Sequence, residues 1–259
     1  MLRLLSLWLS LSSAARAEDP ADQGPVERTY AMRQTFTSQM REPNPFSSQE
    51  WRSTRTNTYA IVRWTQAGTQ VSWTETTCGL HTDKVFGAET IYPDAFIRNV
   101  EVRNRVGVLS GAGPGATFKA GPFVQSFGVR LADPMRDPLP TTEDDPRLID
   151  SDGDGHPGIT VMIRHPMVGQ GQVFVAQRSI ARIEGTVNAD GTVSGHILTA
   201  PDMYKIGADR WWLKVDSPQR PHPDPAQSPF MMVPVTDGIS CGDLLARKGD
   251  LFPALPAPR

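Results

Sequence analysis

Apolar and polar residues alternate with a period of two along most of this chain, and a period near 3.6 is rare. In NTYAIVRWTQAGTQVSWTETTC, Tyr59, Ile61 and Arg63 alternate with Ala60, Val62 and Trp64. The run turns at Gln66-Ala67-Gly68 and resumes with Val71 and Trp73, which predicts a β-hairpin. ARIEGTVNADGTVSGHIL predicts a second, with Ile183 and Val187 before Asn188-Ala189-Asp190-Gly191 and Val193 and Ile197 after it. Gly185 and Gly195 in its arms mark places where a strand bends or another backbone comes close. Further strands are expected over 28–40, 94–102, 122–131, 158–165, 171–180, 205–215 and 230–235. One short helix is expected over 239–249, begun by Asp243 and ended by Gly249.

So many strands with polar alternate positions predict an all-β fold with little helix. The strands form a mostly antiparallel meander, and its edges must be removed by closure into a barrel or by folding into a sandwich. No long-period repeat points to a propeller or solenoid. The hairpin rhythm, with xGxVx on both sides of a turn, resembles lipocalin-like and avidin-like barrels. That resemblance implies an interior able to take a small apolar ligand. Trp64 and Trp73 then either fill the core or form a stacking wall at the mouth. Trp211 and Trp212 are adjacent on an expected strand, so they should face opposite ways.

MLRLLSLWLSLSSAARAEDP has a basic start, an apolar stretch from Leu4 to Leu11 and an Ala15-Arg16-Ala17 site. This is the layout of a secretory signal peptide over residues 1–17, and the apolar run falls far short of the roughly 20 residues a membrane helix needs. A secreted or periplasmic location follows, with no membrane span. The mature part reads as one β-rich domain over 18–249 and a Pro-rich tail over 250–259, expected to fray. Loss of Arg3 and Arg16 leaves 24 basic residues (26 − 2) against 28 acidic, so net charge moves from −2 to −4. A mildly acidic surface disfavours nucleic acid as a partner. Cys78 and Cys241 belong to no CxxC or Cys/His cluster. In an oxidising compartment they are expected to form a disulfide, the alternative being two separately buried thiols.

Marked catalytic chemistry is absent: there is no GxSxG elbow, no HExxH and no GxxxxGK[ST] loop. GAGPGA (111–116) lacks the lysine of a phosphate cradle and reads as a turn between strands. His81, His156, His165, His196 and His222 are all separated. No catalytic residue is therefore assigned, and the function read from the sequence is binding or structural. The alternative is a secreted hydrolase whose residues meet only in three dimensions.

One stretch does carry chemistry. In DSDGDGHPGITV, Asp150, Asp152 and Asp154 occupy relative positions 1, 3 and 5, and Gly155 occupies position 6. Alternate carboxylates converge on one hard cation, and glycine permits the sharp turn. The loop resembles the DxDxDG family found in EF-hands, dockerins, thrombospondin type 3 repeats and FG-GAP repeats, which implies calcium. The FG-GAP form fits best, because it runs directly into a strand, as GITVMI does here. That form carries an acidic residue at position nine, where this chain has Gly158. Glu143, Asp144 or Asp145, a backbone carbonyl or water would have to replace it. Asp150, Asp152, Asp154 and the neighbouring His156 are the candidate ligands. The alternative is a solvated Asp/Gly turn.

Overall fold

The computed structural model describes residues 24–42, 50–215 and 217–258. The signal-peptide reading (1–17) lies outside them. The chain is all-β. Its strands are β1 (Val26–Met40), β2 (Arg52–Ala67), β3 (Gln70–Thr82), β4 (Glu89–Ile91), β5 (Arg103–Ser110) and β6 (Thr117–Phe127), followed by β7 (Ile159–His165), β8 (Gly169–Val187), β9 (Val193–Ala208), β10 (Gln219–Pro221) and β11 (Pro229–Val235). Two helices join them, α1 (Asp94–Asn99) and α2 (Cys241–Leu251).

Every pairing between named strands is antiparallel, in one sheet ordered β4-β7-β8-β6-β5-β3-β2-β1-β11-β9. The additional β8–β9 pairing closes eight of these strands into a ring. β8 makes this possible because it is long. One edge carries β6 along Gln177–Thr186 and β7 along Gly169–Val175, end to end, while the other carries β9.

Period-two alternation sends Tyr30, Met32, Val62, Trp64, Val71, Trp73, Phe118, Ile183, Val193, Phe230 and Met232 into one buried cluster. Trp64 stacks on Trp73 with centroids 5.8 Å apart, and Phe118 packs on both at 5.1 and 5.6 Å. Each such side chain contributes about 1.5–3 kcal/mol by leaving water. Both tryptophans are 3% exposed, so they are packing residues of this cluster.

Beyond this cluster Glu75 is fully buried. Arg103 Nη2 stands 2.6 Å from one of its oxygens and Arg105 Nε 3.0 Å from the other. Burial pulls the Arg103 guanidinium below its ordinary value, against the opposing pull of Glu75.

The opposite face of β1, β2, β3 and β11 is covered by α2. Ala31, Ile61, Cys78, Leu244 and Phe252 are buried there. Ser240 caps α2: its Oγ accepts the Asp243 N–H at 3.1 Å, and Asp243 accepts the Ser240 N–H at 3.1 Å. Asp243 is thus the third helical residue of a capping box rather than the start, and the helix runs through Gly249 to Leu251. The tail expected to fray is held, since Phe252 is buried and Arg33 and Arg55 donate to the Pro253 and Pro256 carbonyls.

Two expected strands differ. Residues 94–99 form α1, because Pro93 and Asp94 supply a helix start and Phe96 buries against β7 and β8; the strand begins later, at Arg103. The strand expected over 205–215 stops at Ala208 and passes into a 3-10 turn at Trp211–Leu213, so strand alternation does not govern the tryptophan pair. Trp211 is 79% exposed, while Leu213 is buried. GAGPGA links β5 to β6 as a turn.

Cys78 and Cys241 form a disulfide, with Cα atoms 5.1 Å apart across a sequence separation of 163 residues. It ties β3 to the first turn of α2. Closing so long a loop in the unfolded chain is worth about 5 kcal/mol in the chain-entropy model. The Cys78→Ala/Cys241→Ala variant should therefore unfold at much lower urea than the parent, with α2 released first. Urea titration followed by circular dichroism, beside a thiol titration of the denatured unreduced parent finding no free thiol, checks this.

Candidate metal centre

β6 ends at Gly128 because that residue, at φ +69°, takes a conformation closed to most side chains. The chain leaves β8 there and returns at Gly158, φ +99°, to begin β7. A Cβ on Gly128 would lie 2.6 Å from the Gly158 Cα, and one on Gly158 would lie 2.7 Å from the Val175 carbonyl oxygen. The two strand ends therefore meet backbone to backbone on β8, and only glycine fits. Ile149 N–H donates to the Gly128 carbonyl (3.1 Å), Gly158 N–H to Ile149 (3.0 Å) and Ser151 N–H to Gly158 (3.1 Å), which close the 150–158 segment into a loop.

Inside this loop Asp150 Oδ1 accepts the N–H groups of Gly153 (2.7 Å) and Asp154 (3.2 Å), and Oδ2 accepts that of Gly155 (2.9 Å). Asp154 Oδ1 accepts the His156 N–H at 2.9 Å. Asp152 turns inward and is only 5% exposed. Its Oδ2 accepts the N–H of Thr160, in β7, at 2.8 Å, and its Oδ1 is buried with no hydrogen-bond partner. One oxygen from each of the three carboxylates lies within 4.8 Å of the others, so the cluster can hold a metal ion.

The electrostatics differ across the three. Burial opposes ionisation of Asp150, but the backbone N–H groups of Gly155, Gly153 and Asp154 outweigh it and hold its carboxyl below the ordinary value. Burial raises Asp152; the Thr160 N–H opposes that rise, and the negative charges of Asp154 and Asp150 add to it. Among the described residues no Lys or Arg pairs with any of the three. A buried carboxylate without a counter-ion is costly, and a hard cation would relieve that cost. All three donors are carboxylate oxygens, which suits such an ion.

The other candidates make further contacts of their own. The His156 ring stacks flat on Phe174 of β8, with centroids 4.1 Å apart, and the metal-holding group consists of the three aspartates. Glu143 lies over Gly207 in β9. Asp145 is clamped by Arg147 through Nη2 (2.7 Å), Nε (3.0 Å) and the backbone N–H (2.9 Å). Position nine is glycine because the approach to Val175 leaves no room for a side chain. His165 accepts from the Met167 N–H and meets the Phe86 carbonyl, and His81 stands 3.9 Å from Asp83.

Gly158→Asp would supply the acidic ninth position. Its effect here should be loss of stability by more than about 1 kcal/mol, from left-handed backbone and a clash with Val175, and no gain in calcium affinity. Thermal melts with and without calcium read both. Separately, hydrogen bonds to Arg147 hold Asp145 down to about 2. A depressed folded value means that this stabilisation is present above the unfolded value of about 4 and is lost as pH falls from there toward 2. Asp145→Asn should accordingly melt below the parent at pH 6, and the gap should close by about pH 2.

Comparison of the chain with protein-family models, curated proteins and solved structures returned no match.

Proposed function

We propose that this chain is an exported, calcium-stabilised β protein with a binding or structural role rather than a catalytic one. The observation that carries the reading is Asp152 Oδ1, a buried carboxylate oxygen without a partner beside two further carboxylates. Calcium is favoured among hard cations because it accepts irregular oxygen shells, whereas magnesium demands a tight octahedron and dehydrates reluctantly. The donors brought together are three carboxylate oxygens, a set that suits a hard cation better than a zinc-like ion. The Cys78–Cys241 disulfide supports an oxidising compartment, and the signal-like N-terminus supports export to it. Among the described residues no helix is long and apolar enough to cross a membrane. In this reading the ring is a lipocalin-like barrel with a packed interior, and the ion acts on architecture. It joins Asp152, which already holds Thr160 at the start of β7, to the rest of the return loop.

Three carboxylates without a fourth side-chain ligand place the affinity on the order of 10⁻⁴ to 10⁻³ M, the range of extracellular modules. Calorimetry should find one calcium ion per chain in that range, with a matching rise in melting temperature and little response to magnesium. Asp152→Asn keeps the acceptor for Thr160 while removing the buried charge. It should melt at or above the parent without calcium and show no calcium-dependent rise. Absence of both heat and thermal shift at several-fold higher calcium would sink the proposal.

A further inference from the structure

The pairing of β5 with β6 in the wall of the ring is short, and a recess lies where it stops. These strands pair only over Gly107–Ser110 and Thr117–Ala120. They cross closely there: a Cβ on Gly107 would meet Lys119 O and Phe118 at 2.9 Å. Beyond Ala120 the register of β6 on β8 slips, with Ala120 opposite Ile183 and Phe123 opposite Ala181. The extra residue is accommodated at Gly121-Pro122, where Gly121 has φ +96° and Pro122 has no N–H to donate. β6 stays with β8, and residues 103–106 of β5 keep β3 alone as their partner. The opening is a recess of about 550 Å³, within the range of small-molecule sites.

Its lining divides by chemistry. Val106, 67% exposed, and Pro122 stand on either side, with Phe123 and Trp73 beneath. On the outer face, cross-strand rows bring up Arg63, Thr74 and Asn104, then Thr65 and Ser72 beside Val106. No Asp or Glu lines the recess. Its two cations are not equivalent. Arg105 lies over the Phe123 ring at 4.3 Å and is paired with buried Glu75, so its charge is spent. Arg63 is exposed and, among the described residues, its side chain forms no ion pair or hydrogen bond.

We propose that this recess binds an amphipathic organic anion, with a flat apolar body between Val106, Pro122 and Phe123 and a carboxylate or sulfonate on Arg63. Ser72, Thr74 and Asn104 supply neutral donors around the acid group. An uncharged ligand would leave Arg63 unused, and a cation would meet it with no opposing carboxylate. The site is separate from the aspartate loop and independent of any ion there.

The probes are 1-naphthoate and its neutral analogue 1-naphthalenemethanol, titrated into the ¹⁵N-labelled full chain and followed by NMR and calorimetry. One naphthoate should bind per chain, shifting the Trp73 indole and the amides of Val106 and Phe123. Arg63 is exposed, so Arg63→Gln should fold as the parent does, which its melting temperature verifies. That variant should bind naphthoate about tenfold more weakly, the usual loss of one charged hydrogen bond, and the alcohol unchanged. Val106→Glu should repel naphthoate and leave the calcium response intact. No naphthoate binding up to 10 mM, shifts mapping away from β5 and β6, or equal binding by parent and Arg63→Gln would each overturn the assignment.

Discussion

Strand β8 must serve three partners, and most of the molecule follows from how they are fitted to it. Its edge toward β9 is continuous apart from one irregularity at Phe174/Val175. Its other edge is shared by β6 and β7, which have to end and begin within two residues of each other, opposite Gln177 and Val175. Two chain ends approach that closely only if neither carries a side chain, hence Gly128 and Gly158. The excursion between them needs a return that arrives on the Val175 backbone at the right height, and the aspartate loop is that return. At the other end of β6 the same strand follows β8 through the Gly121-Pro122 bulge and lets go of β5. The candidate metal centre and the recess thus mark the two places where β6 fails to be an ordinary ring strand.

Two buried carboxylates show how differently charge is handled in one chain. Glu75 lies wholly inside the sheet and is met by two guanidiniums, with Gln125 and Thr77 holding Arg103 in place. Its oxygens have their counter-charges built in. Asp152 is nearly as buried, yet its company is two further carboxylates, a backbone N–H from Thr160 and an oxygen with nothing to accept from. Removing a charge from water is repaid by opposite charge or by hydrogen bonds to the charged form. For Asp152 the chain supplies neither in full, and its raised carboxyl value expresses the same deficit that a bound cation would meet.

The strands were legible because period-two alternation is imposed by having one face on the interior. Both hairpins appear: the turn expected at Gln66–Gly68 closes slightly later, between Ala67 and Gln70, and the second closes over Asn188–Gly191 as expected. The three aspartates were legible because their spacing is itself the geometry. Where reading failed, the deciding information lay in another strand. DAFIRN carries β-compatible residues, but it is helical because Phe96 has Ile159, Val161 and Val175 to bury against. β5 escaped notice because its outward valines, Val106 and Val108, remain exposed and blur the alternation. Nothing in DSDGDG distinguishes Asp152 from its neighbours; burial by β7 and β8 does. Gly158 reads as a missing ligand until Val175 is seen above it. His156 reads as a neighbouring donor, and its ring stacks on Phe174 beside the three aspartates.

The two candidate sites share β6 but not a mechanism. From Gly121 to Gly128 the strand runs seven residues, about 23 Å at the rise of an extended chain. Between them β6 is pinned to β8 along Phe123–Phe127, with Phe127 packed edge-on against Phe96 at 5.3 Å. Coupling between distant sites needs an element that both can bias between two arrangements, and β6 is paired and packed along this length. An ion in the aspartate loop would act on the strand that follows it, β7, through Asp152 and Thr160, and not back along β6. The recess, in turn, is shaped by Gly107, Gly121 and Pro122, whose geometry is fixed by the crossing of β5 over β6. An ion in the loop would therefore act on how firmly β7 is seated, while the recess would keep its shape whether or not the loop is filled.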